Sequence, residues 1–263
     1  MMRANALLRC VRTHNTDIAR VLRLEEGLLR HRVGEDWLTM CDGASTRGVV
    51  LGVSSKLHAL VDEAYAKETD ARIVRRFTGG GTIACDGDTM FIGMTMGTET
   101  ARRVGMLPAT PKSGGGTFPR DVMRATGLIY ERVFDKCGTF AVRENDYVFG
   151  DMKFGGNAQA ITKERFLHHT SFLYDYDEAS MRRLLKHPER APEYRMGRSH
   201  EEFVTRLKTK GYERMEVFDR VVRVMEEFGF DVEYVDLEQA EEMVERAVAE
   251  SGVKRWDNTK IIV

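Results

Sequence analysis

Cysteine is scarce in this chain of 263 residues, and its positions exclude two kinds of stabilising site. The four cysteines are Cys10, Cys41, Cys85 and Cys137, and none belongs to a Cys-x-x-Cys pair. Zinc sites and disulfide frameworks depend on paired or regularly spaced cysteines, so we expect neither here and predict no metal site. Free cysteines in such small number fit a reducing compartment.

Long apolar runs and an excess of charge are also missing. No stretch approaches the roughly 18 apolar residues that span a bilayer, and the N-terminus lacks the apolar core of a signal peptide. Forty basic residues against 41 acidic ones give a net charge of -1, which creates no overall field for nucleic acid or a membrane. We expect a soluble protein that binds neither, in the cytoplasm or, in a eukaryote, in the mitochondrion.

The first 23 residues leave two interpretations open. They carry five arginines against one acidic residue, Asp17, a balance typical of mitochondrial targeting peptides. Alternatively, residues 6–11 form a first strand, and Asn15 or Thr16 caps the helix that follows.

Hydrophobic periodicity predicts strands and helices that alternate along the chain. Apolar residues at helical spacing predict a helix over residues 18–29, with Glu25 and Glu26 among the polar positions between them. Residues 108–120, which include the triplet Gly114–Gly116, are expected to form a loop, and Pro188 to Pro192 a break. Further helices are expected at 61–68, 121–133, 178–185, 213–228 and 237–249, and strands at 37–40, 48–53, 72–74, 89–96, 146–150, 166–174 and 230–235. This order favours an α/β or α+β domain with a mixed sheet flanked by helices.

The strongest local signal is a triple glycine in the stretch Arg75-Arg-Phe-Thr-Gly-Gly-Gly-Thr-Ile-Ala-Cys-Asp86. Glycines without a Cβ allow positive φ and let backbone N–H groups converge on a bound anion, and the two arginines before them supply charge. The stretch lies between two predicted strands and lacks the spacing of a Walker A loop or a dinucleotide fingerprint. It predicts a bound anion such as a nucleotide phosphate.

A second glycine pair follows a lysine in Gly150-Asp-Met-Lys-Phe-Gly-Gly-Asn-Ala158. Here Lys153 is a point charge beside another stretch of bare backbone. We interpret this segment as a second loop, between strands, that faces the same ligand as the triple glycine.

Three ordered motifs, RRFTGGGTIACD, NDYVFGDMKFGGNAQ and FLHHTSFLYDYD, make the chain resemble the biotin and lipoate protein ligase superfamily, and within it the lipoate-protein ligase branch. The resemblance covers roughly residues 15–210. It implies a fold like that of class II aminoacyl-tRNA synthetases, with a mostly antiparallel sheet. It also implies a catalytic domain over residues 1–210 and a helix-strand-helix extension over 211–263, which is shorter than the accessory domain of many single-chain ligases.

What the resemblance implies for function is a reaction in two steps. Lipoate or octanoate attacks the α-phosphate of ATP to form an acyl-adenylate, and the acyl group then passes to a lysine of a lipoyl domain. The acceptor would be a 2-oxoacid dehydrogenase E2 subunit or the glycine-cleavage H protein, an accessory subunit is an option, and Mg²⁺ is expected with the triphosphate. Lys153 is the expected catalytic residue, because charge that develops near the α-phosphate needs a positive donor.

By the same resemblance, a set of residues is expected to bind the acyl group and the adenylate: Arg76, Thr78, Gly79, Gly80, Gly81, Ile83, Gly155, Gly156, Asn157, Ala158, His169 and Ser171. Asp86 either contacts ligand or satisfies amides of its own loop. A metal site at His168 and His169 is not expected, because adjacent residues on a strand point to opposite faces.

Several departures from the family pattern, among them Cys85 and Thr89, and two rival functions remain. Cys85 stands where bacterial lipoate ligases commonly carry histidine, and Thr89 where they carry asparagine. The first rival is an octanoyl or lipoyl transferase that works without ATP through a cysteine thioester, for which Cys137 would be the nucleophile. The second is a non-catalytic protein that binds the acyl ligand or serves as a ligase subunit.

Overall fold

The structure is a computed structural model that describes residues 5–34, 36–109, 117–187, 191–253 and 257–262. The predictions that concern Gly114–Gly116 and Pro188 therefore lie outside the described residues.

The strands of the described residues form two sheets. They are β1 (Ala6–Thr16), β2 (Asp36–Ala44), β3 (Gly48–Leu51), β4 (Arg72–Arg75), β5 (Ile83–Cys85), β6 (Thr89–Gly97), β7 (Phe140–Arg143), β8 (Asp146–Phe149), β9 (Met152–Ile161), β10 (Arg165–Leu173), β11 (Phe230–Tyr234) and β12 (Lys260–Ile261). The larger sheet has the order β11-β1-β2-β6-β10-β9-β8-β7, and the smaller one β12-β4-β3-β5. In the larger sheet β1 pairs in parallel with β2 and β11, and its other pairs are antiparallel. This confirms the predicted α+β class with a mixed, mostly antiparallel sheet.

Helices flank these sheets, and most lie where periodicity predicts them. They are α1 (Ile18–Arg30), α2 (Leu57–Leu60), α3 (Glu63–Glu68), α4 (Thr98–Arg103), α5 (Pro119–Val133), α6 (Glu178–Leu184), α7 (His200–Phe203), α8 (Arg214–Glu227) and α9 (Leu237–Ser251). No helix among the described residues has the length and apolar character to cross a membrane.

The start of α1 differs from the prediction. Strand β1 continues past residue 11 and still pairs with β2 at Thr16, so the chain turns later than expected. The cap is Asp17, whose Oδ1 accepts from the N–H of Ala19 at 2.9 Å. The prediction of Asn15 or Thr16 as the cap is wrong, because both residues belong to the strand.

Two glutamates of α1 are buried, although periodicity places them among the polar positions. Glu25 and Glu26 both have no exposed surface. Glu26 accepts from the backbone N–H and the hydroxyl of Thr259, each at 2.9 Å, and from Arg30 Nε at 2.8 Å. These bonds compensate its desolvation and hold the segment before β12, which itself pairs with β4. Glu25 points toward the larger sheet.

The described residues after 210 pack on the rest of the chain at several places. Helix α8 lies against α5, β11 continues the larger sheet beside β1, and α9 lies against α1. Arg214, the first residue of α8, donates to Asp42 Oδ1 at 2.6 Å and to the carbonyl of Gly87 at 2.8 Å. The start of α8 is thereby bound to the end of β2 and to the turn before β6.

Gly93 in β6 makes room for the carboxylate of Glu25, which yields a test of this arrangement. A Cβ at position 93 would overlap Glu25 Oε1 and the hydroxyl of Thr39. We expect Gly93→Ala to lower the free energy of unfolding in urea by about 1–3 kcal/mol, as overpacking does in a dense interior. Gly87→Ala is the matched control, because a Cβ there meets no atom within 4 Å. Equal stability of the two variants would contradict this account of Gly93.

Candidate functional site

A cleft of about 630 Å³ lies between the glycine loop (residues 76–82, which connect β4 to β5) and the strands β9 and β10. Thr78 is buried but does not line it, and neither does Cys137. The sequence-predicted residues that do line it are Arg76, Gly79, Gly80, Gly81, Ile83, Lys153, Gly155, Gly156, Asn157, Ala158, His169 and Ser171. A larger, more open groove of about 850 Å³ between α5 and β7 contains none of them.

The arginines before the triple glycine use their donors to shape the backbone. Arg76 donates from Nη2 to the carbonyl oxygens of Gly79 at 3.1 Å and Gly81 at 2.6 Å. Arg75 donates from Nη1 to the carbonyl of Ser55 at 2.7 Å. Burial lowers the pKa of Arg76 to about 10, so the side chain keeps its charge at neutral pH. Arg76 therefore holds the glycine loop in shape and contributes charge to the wall of the cleft.

The three glycines of the loop have different roles. Gly80 has a φ of +111°, and a Cβ there would lie 2.8 Å from Arg76 Nη2 and 3.0 Å from the carbonyl oxygen of Asn157. A Cβ at Gly79 or Gly81 would meet no atom within 4 Å. The fold thus requires glycine at position 80, while the other two leave the wall of the cleft bare.

Lys153 lies on strand β9, whereas the sequence predicted that it lies in a loop. Its Nζ is 2.8 Å from Asp146 Oδ1, and Asp146 Oδ2 accepts from the hydroxyl of Tyr194 at 2.8 Å. Gly156 leaves space for the lysine, because a Cβ there would lie 3.3 Å from Nζ. The ammonium group is thus held by one carboxylate above bare backbone, at the wall of the cleft.

His169 is oriented by the buried Glu25. Its Nδ1 lies 2.8 Å from Glu25 Oε2, and Glu25 Oε1 accepts from the hydroxyl of Thr39 at 2.7 Å. A carboxylate only accepts, so Nδ1 carries the proton and donates. The other ring nitrogen is left for contacts on the side of the cleft, which His169 lines.

The glycine loop, Lys153 and His169 therefore meet at one cleft, in a part of the chain that matches a known family. The family model described as the Lipoyl protein ligase A/B catalytic domain matches residues 17–229. The chain belongs to this family. The match contains all the cleft residues described above.

A curated protein similar to this chain is the inactive lipoate–protein ligase 2 of Plasmodium falciparum. The two are 27% identical over an alignment of 183 residues, which covers 61% of this chain and 47% of that protein. The chain therefore aligns with about half the length of this member of the lipoate ligase family.

Solved structures of lipoate-protein ligases share the fold. The archaeal bipartite ligase of Thermoplasma acidophilum, studied with its E2 lipoyl domain, has a TM-score of 0.71 at 18% identity, over 97% of this chain and 96% of that one. A lipoate-protein ligase A bound with ATP also has a TM-score of 0.71 at 18% identity, over 96% and 98% of the two chains. LipL1 of P. falciparum in complex with lipoate has a TM-score of 0.66 at 16% identity, over 92% and 71%.

His168 faces away from the cleft, so the two adjacent histidines point to opposite sides of the sheet as expected. It lies 3.1 Å from the hydroxyl of Tyr147 and 3.0 Å from Gln159 Nε2. Burial, with a smaller contribution from His169, lowers the pKa of His168 to about 3, so the ring is neutral at physiological pH. Within the part of the chain that the structure describes, no group of three or more His, Cys, Asp or Glu side chains could hold a metal ion.

The positions that depart from the family pattern belong to the interior and to a turn. Cys85 is buried, and burial raises the pKa of its thiol to about 12. Asp86 accepts from the N–H of Asp88 at 2.9 Å and from the hydroxyl of Thr89 at 3.3 Å, so it satisfies groups of its own turn. Thr89 also lines the cleft.

None of the four cysteines lines the cleft. Cys137 lies in a short 3₁₀ turn after α5, with its Sγ 3.9 Å from the carbonyl oxygen of Lys210, and it packs against the main hydrophobic core. Burial raises the pKa of the Cys10 thiol to about 11. The geometry thus offers no thiolate beside Lys153.

Sequence reasoning missed several residues of the site. Glu25 and Asp146 hold His169 and Lys153 at the cleft, and Arg195 and His200 line it from residues 193–205, for which the sequence predicted no function. An acidic residue inside an otherwise apolar helix face is the one local signal, and it applies to Glu25. The positions of Asp146, Arg195 and His200 at the cleft depend on strand pairing and chain packing, which produce no recognisable pattern in the local sequence.

The contrast within the triple glycine predicts unequal effects of alanine. We expect Gly80→Ala to lower the free energy of unfolding by about 1–3 kcal/mol, because a non-glycine residue is strained at this φ. Gly79→Ala should change it by less than about 0.5 kcal/mol, since the position is open. Urea unfolding of both variants checks this, and an unchanged Gly80→Ala protein would contradict the assigned backbone conformation.

Buried His168 predicts a pH dependence of stability. A histidine in the unfolded chain takes up a proton below its ordinary pKa of 6.5, whereas folded His168 does so only near pH 3. Above pH 6.5, His168 therefore has no effect on the pH dependence of the free energy of unfolding. Below pH 6.5, it lowers this free energy by up to about 1.4 kcal/mol per pH unit. Urea unfolding between pH 7 and pH 4 should show a shallower slope for His168→Gln than for the wild type. Identical slopes would mean that His168 takes up its proton in the folded state as readily as in the unfolded chain.

Proposed function

We propose that this protein is a lipoate-protein ligase that activates lipoate or octanoate with ATP and transfers the acyl group to a lysine of a lipoyl domain. The observation that carries the proposal is Lys153, whose ammonium group lies at a cleft walled by the bare backbone of the glycine loop. The family match, and the related folds solved with ATP and with lipoate, support it.

In the first step, a carboxylate oxygen of the acid attacks the α-phosphorus, and the bond from phosphorus to the pyrophosphate oxygen breaks. Two anions must approach, and negative charge gathers in the transition state. Lys153 supplies a positive charge that the fold has already positioned, and Asp146 keeps it in place before substrate arrives. Gly156, which has no side chain beside Lys153, allows the substrate to lie close to the strand.

In the second step, the amine of the acceptor lysine attacks the acyl carbonyl, and the bond from carbon to the phosphate oxygen of AMP breaks. The attacking nitrogen loses a proton, and the carbonyl oxygen carries negative charge in the transition state. Lys153 can stabilise this charge from the same position. His169, fixed by Glu25, is placed to contact the ribose or phosphate of the adenylate.

Mg²⁺ belongs in this proposal to the substrate and not to the protein. Mg²⁺ commonly binds triphosphates through phosphate oxygens and water, with few protein ligands. The described residues fit this, because they contain no group of three or more acidic, histidine or cysteine side chains suited to a metal.

The acceptor is a lipoyl domain, of an E2 subunit or of the H protein. The archaeal ligase, which this chain matches over almost its whole length, is bipartite and was studied with an E2 lipoyl domain. We extend this to the present chain, with residues 1–210 as the catalytic domain, residues 211–263 as an extension packed on it, and a separate accessory subunit.

A non-catalytic acyl-ligand protein is the second candidate, because the similar protein from P. falciparum is named an inactive ligase. The transferase is not supported, since no cysteine lines the cleft.

The proposal predicts lipoylation that requires ATP and Lys153. With MgATP, lipoate and an unlipoylated lipoyl domain, mass spectrometry should show the modified acceptor, and Lys153→Ala should reduce the rate by about 100-fold or more. Lys163→Ala, in the exposed turn between β9 and β10, is the matched control and should keep the wild-type rate. Synthetic lipoyl-AMP as donor tests the second step alone.

Three results would contradict the ligase. Product formed without ATP from an acyl-carrier-protein thioester, and lost in Cys137→Ser, would assign a transferase. Tight binding of an acyl-adenylate without product from ATP or lipoyl-AMP, with or without an accessory subunit, would assign a binding protein. Full activity of Lys153→Ala would remove the residue on which the mechanism depends.

A further inference from the structure

The segment of residues 193–205 forms a wall of the cleft next to Lys153. The N–H of Thr205 donates to the carbonyl oxygen of Lys153 at 2.8 Å, and Tyr194 donates its hydroxyl to Asp146. Inside the segment, Ser199 and Glu202 form a capping box that begins α7. These contacts fix the segment on β8 and β9, so the side chains that it directs into the cleft have defined positions.

Arg195 is a buried cation in this wall. It is 3% exposed, donates from Nε to the carbonyl oxygen of Arg198 at 2.9 Å and lies 5.1 Å from the ring of Phe203. Among the described residues, no carboxylate forms an ion pair with it. Burial lowers the pKa of Arg195, but a guanidinium stays protonated in proteins. A buried charge is costly unless it is paired, so this arginine is suited to an anion from outside the chain.

His200 offers a neutral N–H beside this guanidinium. Its Nδ1 lies 3.5 Å from Arg195 Nη2, and because a guanidinium only donates, Nδ1 accepts and the proton resides on Nε2. Burial, followed by the charges of Arg195, Lys153 and His187, lowers the pKa of His200 to about 4. The ring is therefore neutral at physiological pH and keeps one donor.

The charged side chains around the cleft are unbalanced. Among the described residues, four basic ones line it, Arg76, Lys153, Lys186 and Arg195, against two acidic ones, Glu144 and Asp146. Both acids have partners: Asp146 holds Lys153 and Tyr194, and Glu144 accepts from the N–H of Glu193 at 2.7 Å. The described lining of the cleft thus has an excess of two positive charges, more than Lys153 alone provides for an α-phosphate.

We propose that Arg195 and His200 form a second anion subsite, which binds the β- and γ-phosphates of ATP and the pyrophosphate that leaves. This inference rests on the proposed ligase function and assigns two further residues to it. Arginine binds phosphate through charge-assisted hydrogen bonds, and a donor aimed at the leaving group stabilises the charge that it acquires. Lys153 then binds the α-phosphate, and Arg195 and His200 in the wall beside it bind the β- and γ-phosphates.

Binding measurements separate this subsite from the rest of the site. Calorimetry with MgATP, with pyrophosphate and with an acyl-sulfamoyl-adenosine, which lacks the β- and γ-phosphates, is run on wild type, Arg195→Gln and Arg195→Lys. Loss of charge-assisted bonds should weaken MgATP and pyrophosphate binding by about 10-fold or more in Arg195→Gln. The affinity of Arg195→Gln for the sulfamoyl analogue should stay within about twofold of the wild-type affinity, because that molecule has no phosphate that reaches the subsite. Arg195→Lys should recover part of the affinity.

Two further variants complete the set. His200→Gln keeps an N–H donor near the position of Nε2 and should bind MgATP better than His200→Leu. Arg183→Gln is the matched charge control: Arg183 lies in α6, is 57% exposed at its side chain and stacks on Tyr65 outside the cleft. In kinetics, Arg195→Gln should raise KM for ATP and slow adenylation, whereas transfer from preformed lipoyl-AMP stays at the wild-type rate.

The outcomes distinguish the subsite from the function. Wild-type affinity of Arg195→Gln for MgATP and pyrophosphate would overturn the subsite and leave the ligase intact. An equal loss of all three ligands, or of transfer from lipoyl-AMP, would show that Arg195 only supports the wall, and would also overturn it. A wild-type protein that binds neither MgATP nor the sulfamoyl analogue would overturn the proposed function together with the subsite.

Discussion

The burial of two adjacent carboxylates in α1 is the constraint on which the site depends. Glu25 and Glu26 have no exposed surface, and a buried carboxylate is tolerated only when hydrogen bonds replace its water. Glu25 obtains them from His169 and Thr39, which fixes a ring at the cleft. Glu26 obtains them from the segment that leads to β12, which pairs with the strand before the glycine loop. One turn of one helix thus orients a side chain of the cleft and secures the strand behind its loop.

The cations of the cleft divide into two kinds by what occupies their donors. Arg76 donates to the backbone carbonyls of Gly79 and Gly81, and it gives the glycine loop its shape. Lys153 has a single carboxylate, and buried Arg195 has carbonyl and ring contacts but no acid among the described residues. The positive charges of Lys153 and Arg195 are therefore only partly compensated by the protein, which favours the binding of an anionic ligand.

Sequence reasoning predicted the elements well wherever periodicity was strong. Helix α1, the strands β6 and β10 and the helices after residue 210 lie where their apolar spacing places them. It also predicted that the glycine loop, Lys153 and His169 contact one ligand, because the three ordered motifs resemble those of a known family. It placed Lys153 in a loop, since two glycines favour irregular structure, whereas pairing of β9 with β8 and β10 makes the segment a strand.

By itself, then, the sequence determined the α+β class, the family and the motifs that meet at the cleft. The tertiary structure alone decided which partners hold them: Asp146 on Lys153, Glu25 on His169, and the wall that carries Arg195 and His200. It also decided that Cys137 lies away from the cleft. The physical reason is range. Backbone preference and hydrophobic spacing act within a few residues, whereas a buried charge is satisfied by whatever the packed chain brings beside it, at any distance along the sequence.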